Sequence, residues 1–166
     1  MVSTSILETR LAAWPDEAAC AASAAHLASH FASHPALANA FIELHGPLGA
    51  GKTTFARHLL HALGVAGAIK SPTYALVEQY VAGAEAGGFA ISHFDFYRFD
   101  DPNEWEDAGF REVFADPGLK LTEWPEKAAG LLPTCDLRLW ITPHDGSDMR
   151  DARFEAMSAR GRELLP

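Results

Sequence analysis

Residues 46–53 read Gly-Pro-Leu-Gly-Ala-Gly-Lys-Thr, and Gly46, Gly51, Lys52 and Thr53 occupy the fixed positions of the pattern G-x-x-x-x-G-K-[ST]. Each residue type answers a chemical need of phosphate binding. The glycines let a short loop through Pro47, Leu48, Gly49 and Ala50 curl so that backbone N–H groups point at phosphate oxygens. A helix opening at Thr53 aims its positive end at the same anion. Lys52 reaches the β- and γ-phosphates and the Thr53 hydroxyl ligates Mg²⁺; Thr54 adds a second hydroxyl beside it. A chance match would arise in roughly one random chain of this length in a hundred or two, so the surrounding elements decide the reading. The chain lacks an [NT]-K-x-D tetrapeptide, which argues for ATP over a guanine nucleotide.

A phosphate loop needs acids to hold the hydrated cation and to orient the attacking group. In His-Phe-Asp-Phe-Tyr-Arg (93–98), strand alternation puts His93, Asp95 and Tyr97 on one face and Phe94 and Phe96 on the other. A histidine, a carboxylate and a phenol in succession on one face are costly to bury unless they line a site. The competing reading is an exposed face without function. The second acid is Glu123, which closes Leu-Lys-Leu-Thr-Glu before Trp124-Pro125. Ligand crevices in open α/β sheets lie at the carboxyl ends of strands, although this run is less apolar than such strands usually are. Between loop and acids, Lys-Ser-Pro-Thr-Tyr (70–74) offers Thr73 on a segment stiffened by Pro72, an arrangement suited to sensing a γ-phosphate.

These side chains need particular elements to carry them. Residues 40–45 read as a strand ending at Gly46, and 53–64 repeat apolar residues at Phe55, Leu59, Leu60 and Leu63 before Gly64, a helical period with a C-terminal glycine. That strand–loop–helix order is what the phosphate motif requires. Residues 16–33 are alanine-rich, open with Pro15-Asp16-Glu17, and predict a helix. Residues 74–81 and 89–99 predict a hairpin across a glycine-rich connection. Two helical pieces broken near Gly109 follow over 102–115, then strands at 119–123 and 137–142 with a short helix or turn between them. The tail from 143 to 166 is weakly patterned and reads as an edge strand or loose chain. The sum is a single domain over 1–166 with a P-loop, three-layer α/β fold and a mixed, mostly parallel sheet carrying one antiparallel hairpin.

Composition excludes several classes. At 48% hydrophobic and 21% charged residues, the chain matches globular averages. No apolar run reaches the 18 or so residues of a membrane helix, and the N-terminus has no basic leader followed by an apolar block, so no membrane partner and no secretion signal are expected. Acidic residues outnumber basic ones 22 to 13, for a net charge of −9, which argues against a stand-alone nucleic-acid binder. Cys20 and Cys135 have no Cys-x-x-Cys or Cys/His company and read as free thiols of a reducing compartment. A cytoplasmic location follows.

Taken in order, Gly-Pro-Leu-Gly-Ala-Gly-Lys-Thr-Thr, Lys-Ser-Pro-Thr-Tyr, His-Phe-Asp-Phe-Tyr-Arg and Leu-Thr-Glu-Trp-Pro-Glu closely resemble the TsaE family, the ATPase subunit of the bacterial machinery that makes N6-threonylcarbamoyladenosine on tRNA. The likeness spans roughly 15–142, including Asp-Pro-x-Glu-Trp-Glu-x-x-Gly from Asp101. The resemblance implies a P-loop α/β ATPase that is not itself the transferase. It implies partnership with the TsaD–TsaB pair, which modifies adenosine 37 of ANN-decoding tRNAs, and contact with tRNA only through that complex. It carries Lys52 and Thr53 over as phosphate and Mg²⁺ contacts, Thr73 as the switch-loop residue, Asp95 as the catalytic or metal-side acid and Glu123 as the second acid. It marks Trp124 for nucleotide or partner contact. Two alternatives stand beside it: a P-loop small-molecule kinase, against which the absence of an arginine-rich lid segment speaks, and a nucleotide-gated interaction module that hydrolyses ATP slowly or not at all.

Overall fold

A computed structural model describes residues 5–166. Seven strands form one sheet: β1 (Glu8–Trp14), β2 (Phe41–His45), β3 (Val77–Val81), β4 (Ala90–Asp95), β5 (Leu119–Glu123), β6 (Leu137–Pro143) and β7 (Arg150–Ala156), in the order β1-β7-β6-β2-β5-β4-β3. The β6–β2, β2–β5 and β5–β4 ladders are parallel; β1–β7, β7–β6 and β4–β3 are antiparallel. The parallel centre therefore sends the carboxyl ends of β2, β4 and β5 to one edge of the sheet, and the expected β3–β4 hairpin flanks it.

Helices α1 (Glu17–Ser33) and α2 (Lys52–Ala62) cover one face. Leu27 and Phe31 of α1 and Phe55, Leu59 and Leu60 of α2 pack with Ile42, Leu44, Ile91, Leu121, Leu139 and Phe154 of the sheet into the main core. Asp16 caps α1 by accepting from the Ala19 N–H at 2.9 Å, as the Pro-Asp-Glu opening predicts. On the opposite face, α3 (Pro102–Asp107) and α4 (Phe110–Ala115) meet at Gly109. They bring Trp105 and Phe110 onto Phe94 and Phe96; the Phe94 and Phe110 rings meet edge-to-face at 5.3 Å, a favoured aromatic geometry. The phenylalanines of the 93–98 motif thus face a core, as alternation predicts.

Two expectations need correction. The polar tail does not add an edge strand: β7 lies between β1 and β6, and α5 (Ala159–Glu163) follows it. Its alternation is masked because Arg150, Asp151, Arg153 and Glu155 are interleaved with the buried Ala152 and Phe154. The edge position belongs instead to β1, before the first predicted helix. The modest hydropathy of Leu-Lys-Leu-Thr-Glu is also deceptive, since all five residues are buried. Lys120 makes this possible by turning its ammonium onto the carbonyls of Asp116 and, at 2.9 Å, Gly118. Cys20 and Cys135 are buried free thiols, and burial pushes them up to about 11 and about 12 respectively. No described helix is long and apolar enough to cross a membrane.

Asp136, just before β6, ties the tail to the sheet. Its carboxylate accepts from the Phe41 N–H at 2.8 Å and from the Ser158 hydroxyl at 2.7 Å. Because Phe41 is buried, Asp136→Ala strands a backbone donor and should cost about 1–3 kcal/mol in urea unfolding, with Asp136→Asn, which keeps an acceptor, losing less. Equal stability of Asp136→Ala and wild type would remove this tie from the account of the fold.

Candidate functional site

The loop between β2 and α2 is held open by glycine geometry. Gly46 has φ +149°, and a Cβ there would lie 2.5 Å from the Ile141 carbonyl oxygen on β6, so no side chain fits. Gly51, at φ +107°, turns the chain into α2 and leaves that helix without a side-chain cap. By contrast, Asp16, Asp101 and Ser158 cap α1, α3 and α5. The first N–H groups of α2 therefore keep no side-chain partner, which is the electrostatic condition for anion binding. From behind, Arg150 of β7 donates its Nε–H to the Ala50 carbonyl at 3.0 Å.

A cavity of about 340 Å³ opens over this loop, lined by residues 48–54 with Thr73, Asp95, Tyr97, Arg98, Glu123 and Trp124. Pairing of β4 with β5 sets Asp95 beside Glu123 at the sheet edge. Glu123 accepts from the Thr53 hydroxyl at 2.6 Å through one oxygen and from His93 Nε2 at 2.7 Å through the other. Asp95 accepts from the Tyr97 N–H at 2.9 Å and the Thr73 hydroxyl at 3.3 Å. Thr73 in turn lies 2.8 Å from the Ser71 hydroxyl. Lys52 donates to the carbonyls of Gly46 and Pro47, and its ammonium stands 3.5 Å from the centre of the Trp124 ring, a cation–π contact. Trp124 takes the left-handed conformation, φ 55°, unusual for a bulky side chain and the sort of local strain found at working sites.

Burial sets the electrostatics. Lys52 and Asp95 are each 5% exposed and Glu123 is 2% exposed. Desolvation lowers the Lys52 pKa, while Glu123, Glu126 and Asp95 oppose the shift. Desolvation raises the Asp95 pKa; the Tyr97 N–H works against this, the Glu123 charge adds to it, and Thr73 and His93 work against it. The site therefore gathers two cations, Lys52 and Arg98, two acids, and the hydroxyls of Thr53, Thr54, Thr73 and Tyr97 around one opening. Among the described residues no group of three or more His, Cys, Asp or Glu is placed to hold a metal ion, so any cation here would need ligands besides protein carboxylates.

Of the residues singled out, Leu48 to Thr54 of the loop, Thr73, Asp95, Glu123 and Trp124 line this one cavity, and Gly46 and Pro47 do not. His93 does not; it lies under Glu123, 1% exposed. The reading of 93–98 as an idle exposed face is overturned by that burial. Arg98 and Arg150 went unassigned in the sequence. Arg98 closes the His-Phe-Asp-Phe-Tyr-Arg motif and was open to discovery there. Arg150 had no local signal, because it reaches the loop across 100 residues.

The chain matches the family model described as threonylcarbamoyl adenosine biosynthesis protein TsaE over residues 14–152. A Haemophilus influenzae protein named tRNA threonylcarbamoyladenosine biosynthesis protein TsaE is 41% identical over 124 residues, 75% of each chain. The Bacillus subtilis protein of the same name is 34% identical over 119 residues, 72% of this chain and 71% of its own. The crystal structure of Bacillus subtilis YdiB superposes with a TM-score of 0.70 over 98% of this chain and 94% of that one, at 23% identity, a likeness of fold.

A raised Asp95 pKa means that the folded state opposes ionisation of this carboxyl. The stability it withholds is absent at low pH, where the group is neutral in both states, and grows as pH rises from the ordinary value of 3.8 through the folded one. Asp95→Asn, which keeps an acceptor for the Tyr97 N–H, should therefore stabilise the nucleotide-free protein at pH 8, by about 2–4 °C in Tm for each kcal/mol relieved, and by less at pH 4.5. Destabilisation at pH 8 would show that the ionised carboxylate is favourably held.

Proposed function

The chain belongs to the TsaE family, and from that premise we propose that it is a Mg²⁺-dependent ATPase, the whole chain acting as one nucleotide-binding domain. The observation that carries this reading is the convergence of Lys52, Thr53, Thr73, Asp95 and Glu123, from the loop, the 70–74 segment, β4 and β5, on one cavity above the uncapped start of α2. The donor set fits the nucleotide and its cation. Residues 46–54 would wrap the phosphates, and the Lys52 ammonium, now on the Gly46 and Pro47 carbonyls, would serve phosphate oxygens. Thr53, Glu123 and Asp95 would hold Mg²⁺, which would supply charge neutralisation at the phosphates. Two or three protein oxygens suffice for a cation whose remaining ligands are phosphates and water.

The protein's part in hydrolysis is positional and electrostatic. Asp95 would orient the attacking water beside the cation it helps to hold, and Glu123 would keep Thr53 in place. Thr73, bonded to Asp95, couples the 70–74 segment to the acids, so a partner that orders this segment changes the rate. A neighbouring cleft of about 270 Å³, lined by Trp14, Asp16, Glu17, Thr54 and Arg150 among others, leaves room for the nucleoside on the far side of Gly51.

The relatives' names and the motif order support a role in tRNA threonylcarbamoyladenosine biosynthesis, in the cytoplasm, with TsaD and TsaB as partners and tRNA reached through them. The acidic balance of the chain suits a subunit that leaves RNA binding to others.

Lys52→Ala should abolish hydrolysis and weaken ATP binding while the circular dichroism spectrum stays that of wild type. Asp95→Ala and Glu123→Ala should each lower kcat by 100-fold or more on the scale of lost transition-state contacts with a smaller loss in ATP affinity. Wild-type turnover by Lys52→Ala would end the P-loop assignment. With TsaD and TsaB present, hydrolysis should change and tRNA modification should continue past one round only when this chain is added. Sustained modification without it, or a phosphorylated small-molecule product with it, would favour the kinase.

A further inference from the structure

His93 belongs to no part of the site described so far that touches the cavity, yet it makes the shortest bond to Glu123 after Thr53. Its Nε2 lies 2.7 Å from Glu123 Oε2, and both side chains are 2% exposed. Glu123 Oε1 is taken by the Thr53 hydroxyl at 2.6 Å. A carboxylate only accepts, so the imidazole donates from Nε2, and its Nδ1, buried without a partner, is the nitrogen left bare. The strand register sets His93 opposite Leu121, two residue pairs deeper in the sheet than Asp95 and Glu123. The imidazole thus reaches up from beneath the acid, out of contact with anything in the cavity.

We propose that His93 is a positioning residue for the Glu123 carboxylate. By holding Oε2 from below, it keeps Oε1 turned toward Thr53 and toward the cation that accompanies the phosphates. The idea rests on the Mg²⁺–nucleotide reading above and adds to it the residue that sets the orientation of one acid. Without the Nε2–H donor, Glu123 has a single anchor and a free torsion, and the buried oxygen turns to find another donor, away from the cation. Partners of this kind, one bond removed from a metal, typically contribute 10- to 100-fold in metal affinity or activity.

The test uses the full chain with ADP and Mn²⁺ as probes. Free Mn²⁺ is followed by electron paramagnetic resonance, and ADP affinity in EDTA is measured separately. His93→Leu removes the donor and should weaken Mn²⁺ affinity of the ADP complex by about 10-fold or more, leaving cation-free ADP affinity within about twofold. His93→Gln, whose side-chain N–H can reach the same oxygen, should recover most of the loss. Mn²⁺ affinity unchanged in His93→Leu would overturn the proposal. So would an equal loss of cation-free ADP binding, which marks a structural role, or a His93→Gln variant as weak as His93→Leu. If His93→Leu does not fold, nitrogen-15 NMR of the wild-type imidazole decides: adding Mg²⁺ to the ADP complex should shift the His93 Nε2–H signal, and an unmoved signal refutes the coupling. Wild-type protein that binds no Mn²⁺ with ADP would overturn the nucleotide reading and this one together, whereas normal wild-type binding with an indifferent His93→Leu refutes this one alone.

Discussion

A carboxylate taken from water into a protein interior loses several kcal/mol of hydration unless fixed donors replace the water, and Glu123 is in that position at the end of β5. Its two oxygens are met by one hydroxyl and one imidazole, brought from the start of α2 and from β4. Those partners tie the phosphate loop, the helix behind it and two parallel strands to a single acid. The neighbouring ladder sets Asp95 directly beside it, so two carboxylates share one edge of the sheet. Their mutual repulsion is one reason that Asp95 resists ionisation. The arrangement stores unfavourable electrostatics of the kind that a divalent cation would relieve.

The loop itself is supported from behind as much as from within. Gly46 lies against the Ile141 carbonyl, where no Cβ fits, and Arg150 holds the Ala50 carbonyl from β7. Strands β6 and β7 therefore shape the cradle although neither contributes a residue to the cavity. Lys52 occupies the middle of the arrangement with its ammonium on the Gly46 and Pro47 carbonyls and the Trp124 ring. The left-handed Trp124 backbone is the turn that puts the indole there. Charge that is buried at three places thus has short-range partners at each, and all of these partners lie at the carboxyl edge of the parallel strands, where open α/β sheets bind ligands.

Legibility in the sequence followed the range of the interactions. Strand–loop–helix order, the α1 start at Asp16 and the break at Gly109 depend on residues within a few positions of one another, and each was readable. Alternation placed Phe94 and Phe96 in a core and His93 and Asp95 on the other face for the same reason. β7 was read only as an edge strand or loose chain because Ala152 and Phe154 alternate with Asp151, Arg153 and Glu155, and β1 was not read at all because only Trp14 of it is buried. A polar residue that pairs across strands, as Trp140 Nε1–H does with Glu155, looks in one dimension like surface.

The residue types and spacing of Gly46, Gly51, Lys52 and Thr53 determined by themselves a tight glycine loop between strand and helix with a positive charge and a hydroxyl at its end, since these are local requirements. The order of the four motifs likewise determined the family. Which acids stand together, and how they are held, was decided only in three dimensions. Asp95 and Glu123 are 28 residues apart in the chain and become neighbours through the parallel β4–β5 register. His93 becomes the support of Glu123, and Arg150 that of the loop, through packing that no periodicity encodes. Local spacing specifies the groups; the shared burial of distant strands specifies their company, because a buried charge is satisfied by whichever donors the fold brings within hydrogen-bond reach.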